Sequence, residues 1–519
     1  MCPSVITSNR QQSDEQAPIV QTLLTATNGP HRLHGPDALK MMRRYRIGRI
    51  TGYWTNFVPP IQGGKFKLLT SGSPSPATNY DGGGATSSST ACPPSPRHPC
   101  HETARQDGNI PLFDESSSEA CYSDDRTPDG MSYIDIQTRK EIRLDLAKYP
   151  AVDVQTQHMI VEKFRALHKY VKRQGLYRCN YWAYAVEMVR ISLLFGGFIF
   201  FLRKAQHIIS GFCLAFFWQQ LAFIAHDAGH LAITHNMHID TLIGIFVADF
   251  LGGLSITWWK RNHNVHHIIT NAPEHDPDIE HMPFFAISHR LLSNLRSTYY
   301  DRAMKYDAVA RFFIPLQAWL YYPIMGVARF NLYAMSWDHL IAQRGPRKGA
   351  VWWHWWAEMV GQIFFWWWFG YGVLYCTIPT NMDRFVFILV CHAVSAILHI
   401  QITLSHFAMS TADLGPQESF PQRMLRTTMD VDCPQWLDFF HGGLQFQVTH
   451  HLFPRMPRHN LREASKLVQE FCAEVGIPYV TYGFASGNGQ VVGRLANISR
   501  QAAMLAKCQR SLAKNSKIH

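Results

Sequence analysis

"HNVHH" occupies residues 263–267 and "QVTHH" residues 447–451, and the two strings share one spacing. A helix brings residues three and four apart onto one face. The first string therefore offers three imidazoles on one side: His263, His266 and His267. In the second, Gln447 stands where a histidine would complete the pattern, leaving His450 and His451. A third string, "HDAGH" at 226–230, sets His226 and His230 four apart on one face. A lone histidine on an apolar face is usually a hydrogen-bonded core residue. Seven histidines in three such strings, each beside an apolar run, reverse that expectation and point to metal.

Neutral imidazole suits iron, copper, nickel and zinc alike. No cysteine stands at ligand spacing, which disfavours zinc–thiolate and iron–sulfur sites. A closed structural zinc site needs only four ligands, so seven or more nitrogens imply two metals without naming the ion.

The apolar runs set the architecture. Residues 187–202, 208–225, 241–258, 312–332, 352–375 and 384–404 are each near the roughly 20 residues that a helix needs to cross hydrocarbon. If the three strings form one site, all lie on one side of the membrane. Segment 241–258 sits between the first two strings, so it enters and returns or lies at the interface. An even number of crossings must then separate the second string from the third, and three candidates compete. Segment 312–332 carries Pro315, Pro323 and Arg329, which are costly in a lipid-facing span. The expected fold is all-α and polytopic, with four transmembrane helices, two non-crossing helices and a cytosolic, histidine-rich di-metal cap. Lys260, Arg261, Arg290, Arg296, Arg302, Lys305 and Arg311 lie on the proposed cytosolic side, as basic residues do. Arg203 and Lys204 in the first hairpin run against that rule. "VWWHWW" and "WLYYP" fit interfacial aromatic belts or packing between helices.

Elsewhere the chain is polar. A net charge of +11 suits an anionic membrane surface, and no nucleic-acid motif accompanies it. The slightly negative mean hydropathy averages over strongly segregated segments. Eleven dispersed cysteines without a CxxC pair read as reduced thiols facing a cytosol. The N-terminal "MCPSVITSNRQQSDEQ" is polar, unlike a signal peptide. Residues 67–130, rich in Ser, Pro and Gly, are expected from composition to be a disordered linker. From 131 the pattern turns helical and amphipathic, as in "QHMIVEKFRALHKYVKRQ".

The three strings in this order, with "WWKRNHNVHHIITNAPEHDPDIEH", "LSHFAMST" and "FHGGLQFQVTHHLFPRMPRHNL", resemble the front-end membrane fatty-acyl and sphingolipid desaturases. The likeness is greatest to fungal sphingolipid Δ8-desaturases, and it covers about residues 131–490 plus 40–65. It implies a membrane desaturase domain over 131–490, followed by a basic tail at 491–519. It also implies two iron ions, O2 as co-substrate and a double bond placed in the long-chain base of a ceramide. Electrons would come from cytochrome b5 and its NADH-dependent reductase, at the endoplasmic reticulum membrane, with active site and termini cytosolic. His406 in "LSHFAMST" takes the place of a further iron ligand in related enzymes. Gln447 becomes a subfamily mark that ligates, holds a metal-bound water or orients a neighbour. Asp227, Asn262, Asn264 and Asp276 are candidates to orient the rings, and His235, His399 and His441 read as structural.

Relatives of this type carry a fused cytochrome b5 domain with an HPGG loop, and this chain has no HPGG. Residues 1–66 read as a remnant of that domain, with His34 near the place of the second haem ligand. Haem is expected only through a cytochrome b5 partner, unless coding sequence lies upstream. Competing readings are a front-end acyl desaturase of Δ5 or Δ6 type, a lipid hydroxylase on the same scaffold, and a non-enzymatic metal-binding membrane protein.

Overall fold

The computed structural model describes residues 132–345 and 347–515. The assignments over 1–66 and 67–130, His34 among them, fall outside those residues. Helices α1 (Tyr133–Lys148) and α2 (Val154–Arg173) form the lead-in. Asp153 caps α2 by accepting the Thr156 N–H at 2.9 Å. The apolar stripe of α2, Ile160, Phe164 and Val171, is buried against Val468 and Phe471, so it packs on protein.

Three helices are long and apolar enough to cross a membrane: α3 (Tyr181–Arg203), α4 (His207–Gly229) and, much later, α9 (Asn381–Phe407). They pack side by side with α4 between the other two. The residues between form a bent element. Helix α5 (Met237–Ile245) runs into a π-helical turn (Phe246–Leu251), breaks, and resumes as α6 (Ile256–Ile269) at 116° to its first half. This is the segment expected to enter and return, and as a bent pair it is a fourth candidate span.

Starting a helix inside a bundle exposes N–H groups with no partner in their own helix. Here side chains meet the first three. Ile256 N–H donates to Asp249 Oδ2 at 3.3 Å, Thr257 N–H to Glu358 Oε1 at 2.9 Å, and Trp258 N–H to Ser255 Oγ at 3.1 Å. Glu358 comes from α8 (His354–Phe365), which continues as π-helical turns over Trp366–Thr377. The expected span 352–375 is thus one helical run that changes its winding halfway.

Helix α7 (Gln317–Ile341) carries Pro323 inside it and extends well past the expected 312–332. Arg329, which argued against a lipid-facing helix, turns inward and is 2% exposed. Its Nη2 donates to the Gly252 carbonyl at 2.7 Å, at the break before α6, and its Nε to Tyr333 Oη at 2.8 Å. The guanidinium lies over the Trp218 ring, 4.2 Å from its centroid. A charge that sequence logic treats as a cost thus holds the bend.

The later helices are α10 (Phe420–Thr427), α11 (Gln447–Leu452), α12 (Leu461–Val475) and α13 (Phe484–Asn515). Two small sheets accompany them, β1 (Arg296–Ser297) antiparallel to β2 (Arg302–Ala303) and β3 (Asp430–Asp432) parallel to β4 (Thr481–Gly483). The stretch read as a basic tail from 491 is the body of α13, with Val491, Leu495, Ile498 and Ala502 buried. Those residues recur every three or four positions, with Arg494 and Arg500 interspersed among them.

Arg329→Ala leaves the Gly252 carbonyl unpaired in an apolar interior. A hydrogen bond from a charged donor contributes about 1.5–3 kcal/mol, so this variant should unfold at a clearly lower temperature in detergent, followed by intrinsic fluorescence.

Candidate metal centre

The three strings arrive on three different elements. His226 ends α4 and His230 is its C-cap, and α6 carries His263, His266 and His267. The short α11 carries His450 and His451, and His406 lies in the last turn of α9. The rings divide into two sets whose ligand nitrogens lie within 4.8 Å of one another: His226, His230, His263 and His450, and His266, His406 and His451. His267 joins them. Its Nε2 is 3.1 Å from both His263 Nε2 and His450 Nε2, and its ring stacks on His451 at 4.2 Å. All eight expected ligands therefore meet. His235, His399 and His441 hydrogen-bond elsewhere: to the Leu231 and Tyr177 carbonyls, to the Met325 carbonyl, and to the Gln401 amide.

The donor set fits cations. His230 Nε2, His267 Nδ1, His406 Nδ1 and His451 Nε2 are buried without a hydrogen-bond partner among the described residues. Leaving a buried acceptor unpaired costs about 1–3 kcal/mol, which a bound metal would offset. Burial and the neighbouring His406 push His451 well below the ordinary imidazole range, and a ring must be neutral to ligate.

Side chains outside the strings orient the rings. Asp276, fully buried, lies 2.8 Å from His266 Nδ1 and accepts the Asn271 N–H at 2.8 Å. An Nδ1–H held by a carboxylate leaves Nε2 as the free lone pair. Asn271 in turn donates from Nδ2 to the His406 carbonyl at 2.8 Å, tying α6 to α9. Asp227 acts less directly. It lies 3.8 Å from His226 and accepts from Arg458 Nη1 at 2.5 Å and from the Tyr184 hydroxyl. Arg458 also reaches Glu187 and the Phe223 carbonyl at 2.9 Å. Asn262 pairs with the Tyr299 hydroxyl and not with a ring. Sequence reasoning missed Arg458, Glu187 and Asn271. Only the buried acid at 227, which needs a cation, hinted at the first.

Two glycines let the strings close up. A Cβ on Gly229 would stand 2.2 Å from Trp259, whose indole stacks on His263 at 4.4 Å. A Cβ on Gly442, at φ 57°, would stand 2.1 Å from the Phe223 ring. Gln447 opens α11 and is 4% exposed.

A fatty acid desaturase family model matches residues 203–483, which contain all eight histidines and Gln447. The chain belongs to the fatty acid desaturase family. It is 55% identical over 488 residues to the Delta 8-(E)-sphingolipid desaturase of Emericella nidulans, covering 94% of this chain and 88% of that protein. The Candida albicans protein of the same name is 42% identical, over 92% and 88% of the two chains. The acyl-lipid (9-3)-desaturase of Borago officinalis is 35% identical, over 67% and 77%.

In this desaturase the third string is anchored by Asp430 of β3, whose Oδ1 accepts the Val448 N–H at 2.8 Å while Oδ2 accepts from the Tyr479 hydroxyl. Burial pushes the Asp430 carboxyl up to about 7, although both hydrogen bonds pull it down. An unfolded aspartate titrates near ~3.9. Between those values the folded state holds a proton that the unfolded state has released, so stability falls as pH rises through that window. Asp430→Asn should flatten that slope between about pH 4 and 7, as measured by thermal unfolding in detergent. Asp276→Ala should weaken metal retention about 10–100-fold, read by metal analysis after graded chelator dialysis.

Proposed function

We propose that this desaturase introduces a trans Δ8 double bond into the long-chain base of ceramides. The supporting observation is identity of 42–55% to proteins named Delta 8-(E)-sphingolipid desaturase, spanning nearly all of both chains. The acyl-lipid relative covers less of the chain at lower identity, so the front-end acyl reading is the second.

On this reading the protein sits in the endoplasmic reticulum membrane. Helices α3, α4 and α9 and the α8 run make four crossings, the bent element enters and returns, and the histidines face the cytosol. His226, His230, His263 and His450 hold one iron, and His266, His406 and His451 the other, with His267 between them. When bound, the iron pair supplies the O2-dependent oxidising power needed at a C–H bond that no general base can deprotonate. The chain's part is positional. Asp276 fixes the His266 tautomer, Asn271 holds the α9 terminus against α6, and Arg458 balances the buried Asp227. Gln447, buried at the head of the third string, ligates, holds a metal-bound water or orients a neighbour. The reaction consumes O2, two electrons and two protons for each double bond and yields two waters. A cytochrome b5, reduced by its NADH-dependent reductase, delivers the electrons.

Expression in a yeast lacking both sphingolipid Δ8 and front-end acyl activities tests this. The expected product is a trans Δ8 bond in long-chain bases with the fatty-acid pool unchanged. A new double bond only in the fatty acids would sink the sphingolipid reading, and a hydroxylated base would favour the hydroxylase. Ala at His266 or at His451 should abolish the product at equal protein level. Gln447→His should lower it, and full activity in that variant would remove any need for the amide.

A further inference from the structure

We infer that Trp259 is where electrons enter the metal centre, and that the basic rim around it docks an acidic one-electron carrier protein. The inference rests on the di-iron reading above. Trp259 lies on α6, one turn before His263, and is half-buried. Its ring contacts three imidazoles of one set: His263 stacked at 4.4 Å, His226 at 5.3 Å and His230 at 5.5 Å. The close seat of this indole requires Gly229, where any Cβ would collide with it. The His266 set has no indole contact of this kind among the described residues, its ring neighbours being other histidines.

The chemistry requires such a route. Each double bond takes two electrons from outside, and a haem carrier gives them one at a time. Most of the imidazoles are buried, and His226 and His263, with side chains 20% and 12% exposed, offer a carrier less ring surface than an indole does. A partly exposed π-system in van der Waals contact with them shortens the path, the carrier being oxidised by one electron at each encounter while the centre is reduced by one.

The surroundings say which carrier fits. Lys260 and Arg261 follow Trp259 directly, both only partly exposed, and Arg261 Nη1 donates to the Arg344 carbonyl at 2.8 Å, bringing the end of α7 alongside. Exposed Arg344 and Arg347 extend the rim there. Exposed Asp338 pairs with Arg344, leaving Arg347 as an exposed cation of this segment. A face of this sign steers an acidic partner and sets its association rate more than its final affinity.

The experiment uses the full chain in detergent, loaded with iron, comparing wild type, Trp259→Phe, Trp259→Leu and Arg347→Glu, the last an exposed rim position. Iron per chain is measured first. Oxidation of ferrous cytochrome b5 is then followed optically after rapid mixing with enzyme, O2 and ceramide, and single-turnover desaturation is assayed in parallel on enzyme reduced with dithionite, freed of excess reductant and then exposed to O2. The inference expects Trp259→Leu to slow haem oxidation several-fold relative to its dithionite-driven rate, with Trp259→Phe intermediate. Arg347→Glu should lower the second-order rate roughly ten-fold at low salt and little at high salt, and an unchanged low-salt rate would overturn the docking face. If Trp259→Leu lowers the dithionite-driven and the cytochrome-driven rates equally, the indole only positions His263 and the inference falls. If wild type itself holds no iron or makes no product with dithionite, the di-iron reading fails instead.

Discussion

Arg458 joins the first histidine string to the third, and the centre depends on that junction. The guanidinium is buried among Asp227, Glu187 and the Phe223 carbonyl. Asp227 is the neighbour of His226, while Arg458 lies seven residues after His451. An unpaired buried carboxylate or guanidinium is among the most costly groups a protein can hold, and removing one partner leaves the other stranded. Neither group can leave without exposing the other, so α4 and the segment after α11 are held in one register. The histidines then converge as a consequence of where the charges must go.

The same logic recurs at the opposite end of α6. Asp249 and Glu358 accept its first N–H groups, and Arg329 takes the Gly252 carbonyl at the break. In a bundle interior each of these polar groups has few alternatives. The bend of 116° is thus specified by hydrogen bonding, and it carries the second string back to the face where the first one ends.

Much of this was legible in the sequence, and the missing parts share a cause. Period and spacing report what lies on one helix, so the strings, the long apolar helices and the entering-and-returning segment could be read directly. His406 needed the resemblance, because one histidine on an apolar helix carries no spacing signal. Arg458 and Asn271 were hidden because their partners lie 231 and 135 residues away. Arg329 misled in a further way: a charge in an apolar run argues against lipid contact, and says nothing about which carbonyl it finds inside. In α13 the charges drew attention from a buried stripe. Residues 1–130 carry the remnant and linker readings, and the structure describes none of them.

Gly229 and Gly442 carry no chemistry, yet each occupies a place where the next larger side chain would collide with an aromatic ring near a histidine string. Alanine is one nucleotide away from any glycine codon, so a single base change is enough to place a Cβ where neither site has room for it. The histidines invite attention as the part of the chain that cannot drift. Two positions with no side chain at all narrow the accessible sequence space as sharply, and a screen that scores substitutions by chemical similarity would pass over both.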